Sequence, residues 1–134
     1  PQKSSMESIY QEADIVSLHI PLTLETTNII DDNFINSFKK NIYLINTARG
    51  KCANTKNVVT ALENGKIKGA CLDVLEYEKN SFENLSQEGL TNDMQYLINS
   101  KNTVLTPHIA GWTKESNIKI AEVLLNKIIS DFPL

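Results

Sequence analysis

Long apolar runs, paired cysteines, glycine-rich turns and an excess of positive charge are all missing from this chain. No stretch approaches the roughly 18–20 apolar residues that a membrane-spanning helix needs, and Pro1-Gln2-Lys3-Ser4-Ser5 has no apolar core of a signal peptide. The expectation is a soluble, cytoplasmic protein with no membrane partner. Cys52 and Cys71 are the only cysteines, which excludes a disulfide framework or a metal cluster, so no metal is expected. Cys71 lies in an apolar run and reads as a packed core residue; Cys52 reads as a partly exposed bystander. With 13 basic and 16 acidic residues the formal charge is −3, and no basic stripe exists to track phosphates, so nucleic acid is not an expected partner. The five glycines, Gly50, Gly65, Gly69, Gly89 and Gly111, nowhere form the Gly-x-Gly-x-x-Gly turn that cradles a pyrophosphate.

What is present is an alternation of helices and strands. Ser4 followed three residues later by Glu7 has the capping-box form, predicting a short helix to about Glu12. Residues 13–20 are apolar and partly β-branched, a strand that Pro21 ends by removing an amide donor. A threonine-rich loop follows over residues 22–28. Asp31 or Asp32 can cap the next helix, whose Phe34, Ile35 and Phe38 share one face, and Lys39-Lys40 suit its negative end. Residues 41–45 form an uncharged β-favouring run, which predicts a strand buried on both faces. Asn54 or Thr55 caps a helix with Val58, Val59 and Leu62 inward, closed at Asn64-Gly65. Residues 68–75 predict a third strand and residues 102–105 a fourth. Between them, residues 79–100 read as a polar surface excursion with a helical turn or two near residues 93–99. Thr113 then caps a long helix to about Ser130, with Ile118, Ala121, Leu125 and Ile128 at helical spacing. Single helices between strands imply parallel pairing and right-handed crossovers, hence a doubly wound α/β sheet in a single domain or a piece of one.

Four polar segments, residues 21–26, 47–49, 73–78 and 106–111, each follow a strand, so a parallel sheet gathers all four on its carboxyl edge, where open α/β sheets place their ligands. Arg49 would stand at the mouth of that crevice and could grip a planar anion with two parallel hydrogen bonds. Taken singly it reads equally as a surface arginine in a turn. An arginine, a histidine and a glutamate on one rim would make an acid/base and anion-binding set.

Three segments carry a resemblance. They are Leu44-Ile45-Asn46-Thr47-Ala48-Arg49-Gly50, the run from Ala61 to Val74 that holds Asn64-Gly65 and Cys71-Leu72-Asp73, and Leu105-Thr106-Pro107-His108-Ile109-Ala110-Gly111. In order and content they resemble the signature segments of NAD-dependent D-2-hydroxyacid dehydrogenases of the phosphoglycerate dehydrogenase type. Residues 13–27 are similar to that family's His-x-Pro-Leu-Thr segment. The resemblance implies an incomplete Rossmann-like fold, the C-terminal portion of an NAD-binding domain over residues 1–134, without the glycine-rich βαβ half and the substrate domain. The helix over residues 113–131 would lead back toward the latter.

It also implies roles. Arg49 would bind the substrate carboxylate and polarise its carbonyl. His108 would be the acid/base, and Glu78, five positions after Asp73, the carboxylate that orients its ring and stabilises the imidazolium. Asp73 would receive the nicotinamide carboxamide. Ile20, Pro21, Thr26, Thr47, Ala48 and Gly111 would line the cofactor with Arg49, Asp73 and His108, while His19 would be structural. The cofactor would be NAD, with NADP left open because no ribose-reading acid is present. The partner would be a small 2-hydroxy or 2-keto acid, and the full-length protein a homodimer. The alternative is a dinucleotide-sensing, corepressor-like binding protein of the same fold. The chain departs from the family pattern at Lys79, where proline is usual, at Trp112, where a small residue is common, and in the length of residues 79–101. On this reading the 134 residues alone bind NAD poorly and turn nothing over.

Overall fold

The computed structural model describes residues 2–77 and 91–132. The expected alternation is present. In chain order the elements are α1 Met6–Glu12, β1 Ile15–Leu18, α2 Asp32–Ser37, β2 Ile42–Asn46, α3 Thr55–Glu63, β3 Ile67–Leu72, α4 Asn92–Asn99, β4 Thr103–Leu105 and α5 Lys114–Asp131. The four strands pair in the order β1-β2-β3-β4, all parallel, which makes an α/β Rossmann-like sheet with flanking helices.

Local chemistry sets most of the helix starts. Asp31 is the cap of α2, its carboxylate accepting from Phe34 N at 2.8 Å, and Asn54 caps α3 by accepting from Asn57 N at 3.1 Å. The first helix is capped by Ser5, which accepts from Ser8 N, one residue later than the Ser4–Glu7 pairing predicted. Gly65 ends α3 with φ +77°, a backbone that glycine takes without the Cβ penalty. Lys40 serves a different helix end from the one expected. Its ammonium reaches the Glu12 carbonyl at 2.7 Å, at the end of α1, and the Asp14 carboxylate at 3.0 Å. It thereby ties the entry of β1 to the exit of α2.

The core lies on one side of the sheet. Leu44, Asn46, Ala70 and Leu72 point into it beneath Ile35, Phe38, Val58, Val59, Leu62, Met94 and Leu97, all buried. Edge-to-face rings of Tyr10, Phe34 and Phe38, with centroids 5.0–5.7 Å apart, close the corner between α1 and α2. The helical turns expected near residues 93–99 are α4; although it is polar over most of its surface, Met94 and Leu97 pack it into the core, where a surface position was expected.

Coverage of β2 on both faces is the expectation that the structure overturns. The register places Ile15, Tyr43 and Gly69 in one rank and Ser17, Ile45, Cys71 and Val104 in the next, on the face away from the helices. Ile15 is 61% exposed, Tyr43 49% and Val104 56%. Connections that always step to the next strand in the same direction, with right-handed crossovers, put α2, α3 and α4 on one face. The same geometry reverses the cysteines. Cys71 sits on the bare face and is exposed, whereas Cys52, in the 3-10 turn Gly50–Cys52, is fully buried. The long helix α5 has the predicted extent, but none of its residues is buried; Ile118, Leu125 and Ile128 are all exposed.

Candidate active site

Parallel strands place the loops after β1, β2, β3 and β4 on one edge, as expected. The loop after β2 is built by Asn46. Its buried side chain donates to the Arg49 carbonyl and accepts from Ala48 N, each at 3.1 Å, so residues 46–49 form a tight Asx-type turn. Gly50 then lies so close to the loop after β3 that a Cβ there would stand 1.9 Å from the Leu75 carbonyl oxygen. Glu76 adds a second tie, its carboxylate accepting from Thr55 N at 2.8 Å at the start of α3. The loops bearing Arg49 and Asp73 are thus held as one piece of backbone.

The loop after β4 is organised by Asp73. This carboxylate, 3% exposed, accepts from the Thr106 hydroxyl at 2.6 Å, from Ile109 N at 2.8 Å and from Ala110 N at 3.0 Å. The Asp73 carbonyl also accepts from His108 N at 2.9 Å. Within that clasp His108 takes φ +55°, a left-handed conformation that histidine tolerates better than most side chains but that still costs energy. Burial alone would raise the Asp73 pKa. The hydrogen bonds from Thr106, Ala110 and Ile109, with the nearby His108 charge, outweigh burial and hold it below the ordinary carboxylate value.

A cavity of about 330 Å³ opens at this edge, lined by Thr47, Asp73, His108, Ala110, Gly111 and Trp112. Of the residues singled out in the sequence, it brings together Thr47, Asp73, His108 and Gly111. Arg49 is exposed on the neighbouring loop, with its guanidinium donating to the Ala48 carbonyl at 2.6 Å, and it does not line the cavity. Ile20 packs against the core. The Pro21 carbonyl accepts the Thr26 hydroxyl at 2.7 Å, closing the loop after β1 on itself. Ala48 is buried, and His19 is exposed with its ring beside the Ser17 hydroxyl at 2.9 Å. Glu78 lies outside the described residues. Asn46 and Thr106, which shape the two key loops, were not anticipated. The signal for Asn46 was a polar residue ending an apolar strand.

The donor set fits the nicotinamide end of a dinucleotide. Three of about four lone-pair positions on the Asp73 carboxylate are used, leaving one acceptor for an amide N–H, and no atom beyond its chain neighbours lies within 4 Å of where a Cβ on Gly111 would be. Among the described residues no helix is long and apolar enough to cross a membrane, and no cluster of His, Cys, Asp and Glu could hold a metal ion.

A parallel sheet with a polar crevice at its carboxyl edge defines a Rossmann-like nucleotide-binding protein. The chain belongs to the D-isomer specific 2-hydroxyacid dehydrogenases, as part of their NAD-binding domain, whose family profile matches residues 1–110. It is 35% identical over 123 residues to an aromatic 2-oxoacid reductase of Clostridium sporogenes, covering 90% of this chain and 37% of that protein. It is 39% identical over 127 residues to a glyoxylate reductase of Thermofilum pendens, covering 95% and 34%. Among solved structures, D-lactate dehydrogenase with NAD+ from Lactobacillus jensenii superposes with a TM-score of 0.76 at 34% identity, covering 94% of this chain and 38% of that one. The chain therefore spans little more than a third of the length of these relatives.

Proposed function

We propose that these residues are the C-terminal portion of the NAD-binding domain of an enzyme that interconverts a small 2-oxo acid and its D-2-hydroxy acid. The observation that carries this reading is the cavity in which His108 stands beside Asp73 and Thr47, one loop away from Arg49. Bound NADH supplies the hydride. Arg49, freed from the Ala48 carbonyl, grips the substrate carboxylate with two parallel hydrogen bonds, which orients the 2-oxo group and draws electron density toward its oxygen. His108 as imidazolium donates a proton to that oxygen as it becomes a hydroxyl; in the oxidative direction neutral His108 takes the proton back. Glu78, at the family spacing after Asp73 and outside the described residues, is the carboxylate assigned to orienting the imidazole ring. Asp73 accepts from the nicotinamide carboxamide through its remaining lone pair while it clasps the histidine loop. Thr47, Ala48, Ile20, Pro21, Thr26 and Gly111 line the rest of the cofactor's path. A cytoplasmic homodimer completes the reading, and the unpaired thiols of Cys52 and Cys71 suit a reducing compartment.

The test is steady-state turnover of the full-length protein with NADH and, in separate assays, glyoxylate, pyruvate, hydroxypyruvate and phenylpyruvate, followed by loss of NADH absorbance. Consumption of at least one, lowered about 10²- to 10⁴-fold in His108→Asn, is the expected result. Tight NADH binding with no turnover on any of the four would overturn it in favour of a dinucleotide-sensing protein.

A further inference from the structure

Two neighbouring positions in the cavity are unlike each other in a way the proposed chemistry does not use. Gly111 offers no side chain, and where its Cβ would stand nothing but its two chain neighbours can lie within 4 Å. Next to it Trp112 lines the same cavity with 80% of its surface exposed, more than any other aromatic side chain among the described residues. Glycine makes the room and tryptophan makes the wall, three and four residues beyond His108. The remaining lining, Thr47, Asp73, His108 and Ala110, offers polar groups and one methyl. Asp73 is already engaged by three donors and cannot turn toward a substrate side chain. Among the described residues the indole is therefore the one large apolar surface that lines the cavity.

We infer that Trp112 is a specificity-determining residue, whose indole packs against the substituent that C2 of the 2-oxo acid carries and selects bulky, flat or branched apolar groups over a hydrogen or methyl. The inference rests on the function proposed above. A 2-oxo acid anchored by its carboxylate and proton-coupled at its carbonyl oxygen has one substituent left to distinguish it, and that substituent is what a wall beside His108 can read. An indole offers a broad apolar face at little loss of side-chain freedom, and aromatic pairs gain beyond the area they bury. A single such wall separates substrates by about 10- to 100-fold.

The experiment uses the full-length protein and its Trp112→Ala and Trp112→Phe variants. Read out are kcat/KM for phenylpyruvate and for glyoxylate, and the calorimetric dissociation constants of D-phenyllactate and glycolate in the presence of NAD. The expected result is a ratio of phenylpyruvate to glyoxylate kcat/KM that falls at least about 10-fold in Trp112→Ala and is restored to within about 3-fold by Trp112→Phe. Affinity for D-phenyllactate should weaken in parallel while that for glycolate does not. A ratio unchanged within about 2-fold in a Trp112→Ala protein that unfolds at the wild-type urea concentration overturns the inference and leaves the dehydrogenase reading standing. A wild-type protein that turns over any of the other three 2-oxo acids but not phenylpyruvate also overturns the inference; one that turns over none of the four, yet binds NADH, overturns the reading itself.

Discussion

Replacing Asp73 by asparagine changes one atom and should loosen the whole histidine loop. The carboxylate accepts three hydrogen bonds, from the Thr106 hydroxyl and from the amides of Ile109 and Ala110, in a site only 3% exposed. An amide can keep its oxygen toward Thr106 and Ile109, but its NH2 then faces Ala110 N, donor against donor. One hydrogen bond to a charged acceptor, about 1.5–3 kcal/mol, is lost, and the other two fall to neutral strength. The total is about 3 kcal/mol. Part of what is lost is the clasp that keeps His108 at φ +55°, a conformation costing about 1–3 kcal/mol. Acidity supplies a second signature. Because the folded-state pKa of Asp73 lies below its ordinary value of 3.8, its contribution is fully present above that value and disappears as pH falls through the folded-state pKa. Urea denaturation of full-length wild type and Asp73→Asn, followed by circular dichroism, should show the gap at neutral pH and its narrowing in acid, where the wild type has lost what the variant never had. A neutral-pH gap under about 0.5 kcal/mol, or one that widens in acid, would refute the clasp.

Four further outcomes follow from the same geometry. His108→Asn keeps a residue that tolerates the left-handed backbone, so stability should change by under about 1 kcal/mol while turnover of the full-length protein falls about 10²- to 10⁴-fold; equal losses of both would contradict the acid/base role. Arg49→Lys replaces a planar fork by a point charge and should raise KM for the 2-oxo acid at least about 10-fold, measured against an unaltered NADH dissociation constant. Gly50→Ala puts a methyl 1.9 Å from the Leu75 carbonyl oxygen, so the loops bearing Arg49 and Asp73 must separate. A loss of about 1–3 kcal/mol in the urea midpoint analysis is expected. Phe38→Ala empties a site 2% exposed at the centre of an aromatic trio and should cost about 3–5 kcal/mol by the same measurement.

The alternation of elements, the parallel order and the caps at Asp31 and Asn54 were legible because each rests on local pattern: period, side-chain oxygen, glycine stop. The strand-end positions of Thr47, Asp73 and His108 were legible for the same reason, since parallel pairing alone gathers them. Other features depend on tertiary context. Tyr43, Ile15 and Val104 are ordinary strand residues whether or not something lies over them, so the bare face left no trace in composition, and Cys71 was misplaced with it. Two anchors, Met94 and Leu97, in an otherwise polar helix are too few to separate a packed crossover from a surface turn. Asp73 looked like a ligand for the cofactor, and nothing in its sequence neighbourhood signalled that the amides of Ile109 and Ala110, far along the chain, converge on it. The left-handed backbone at His108 is equally silent, because it is imposed by that convergence.

Because helices α2, α3 and α4 shelter only one side of the sheet, the two sides answer to different kinds of change. Substitutions beneath the helices register as a lower melting point. Those at Ile15, Tyr43 or Val104 register instead as altered colloidal behaviour, since these side chains lie about half exposed or more on the open face rather than in the core. Cys71 stands among them, so a thiol-reactive dye placed there would report directly on whatever comes to rest against that side.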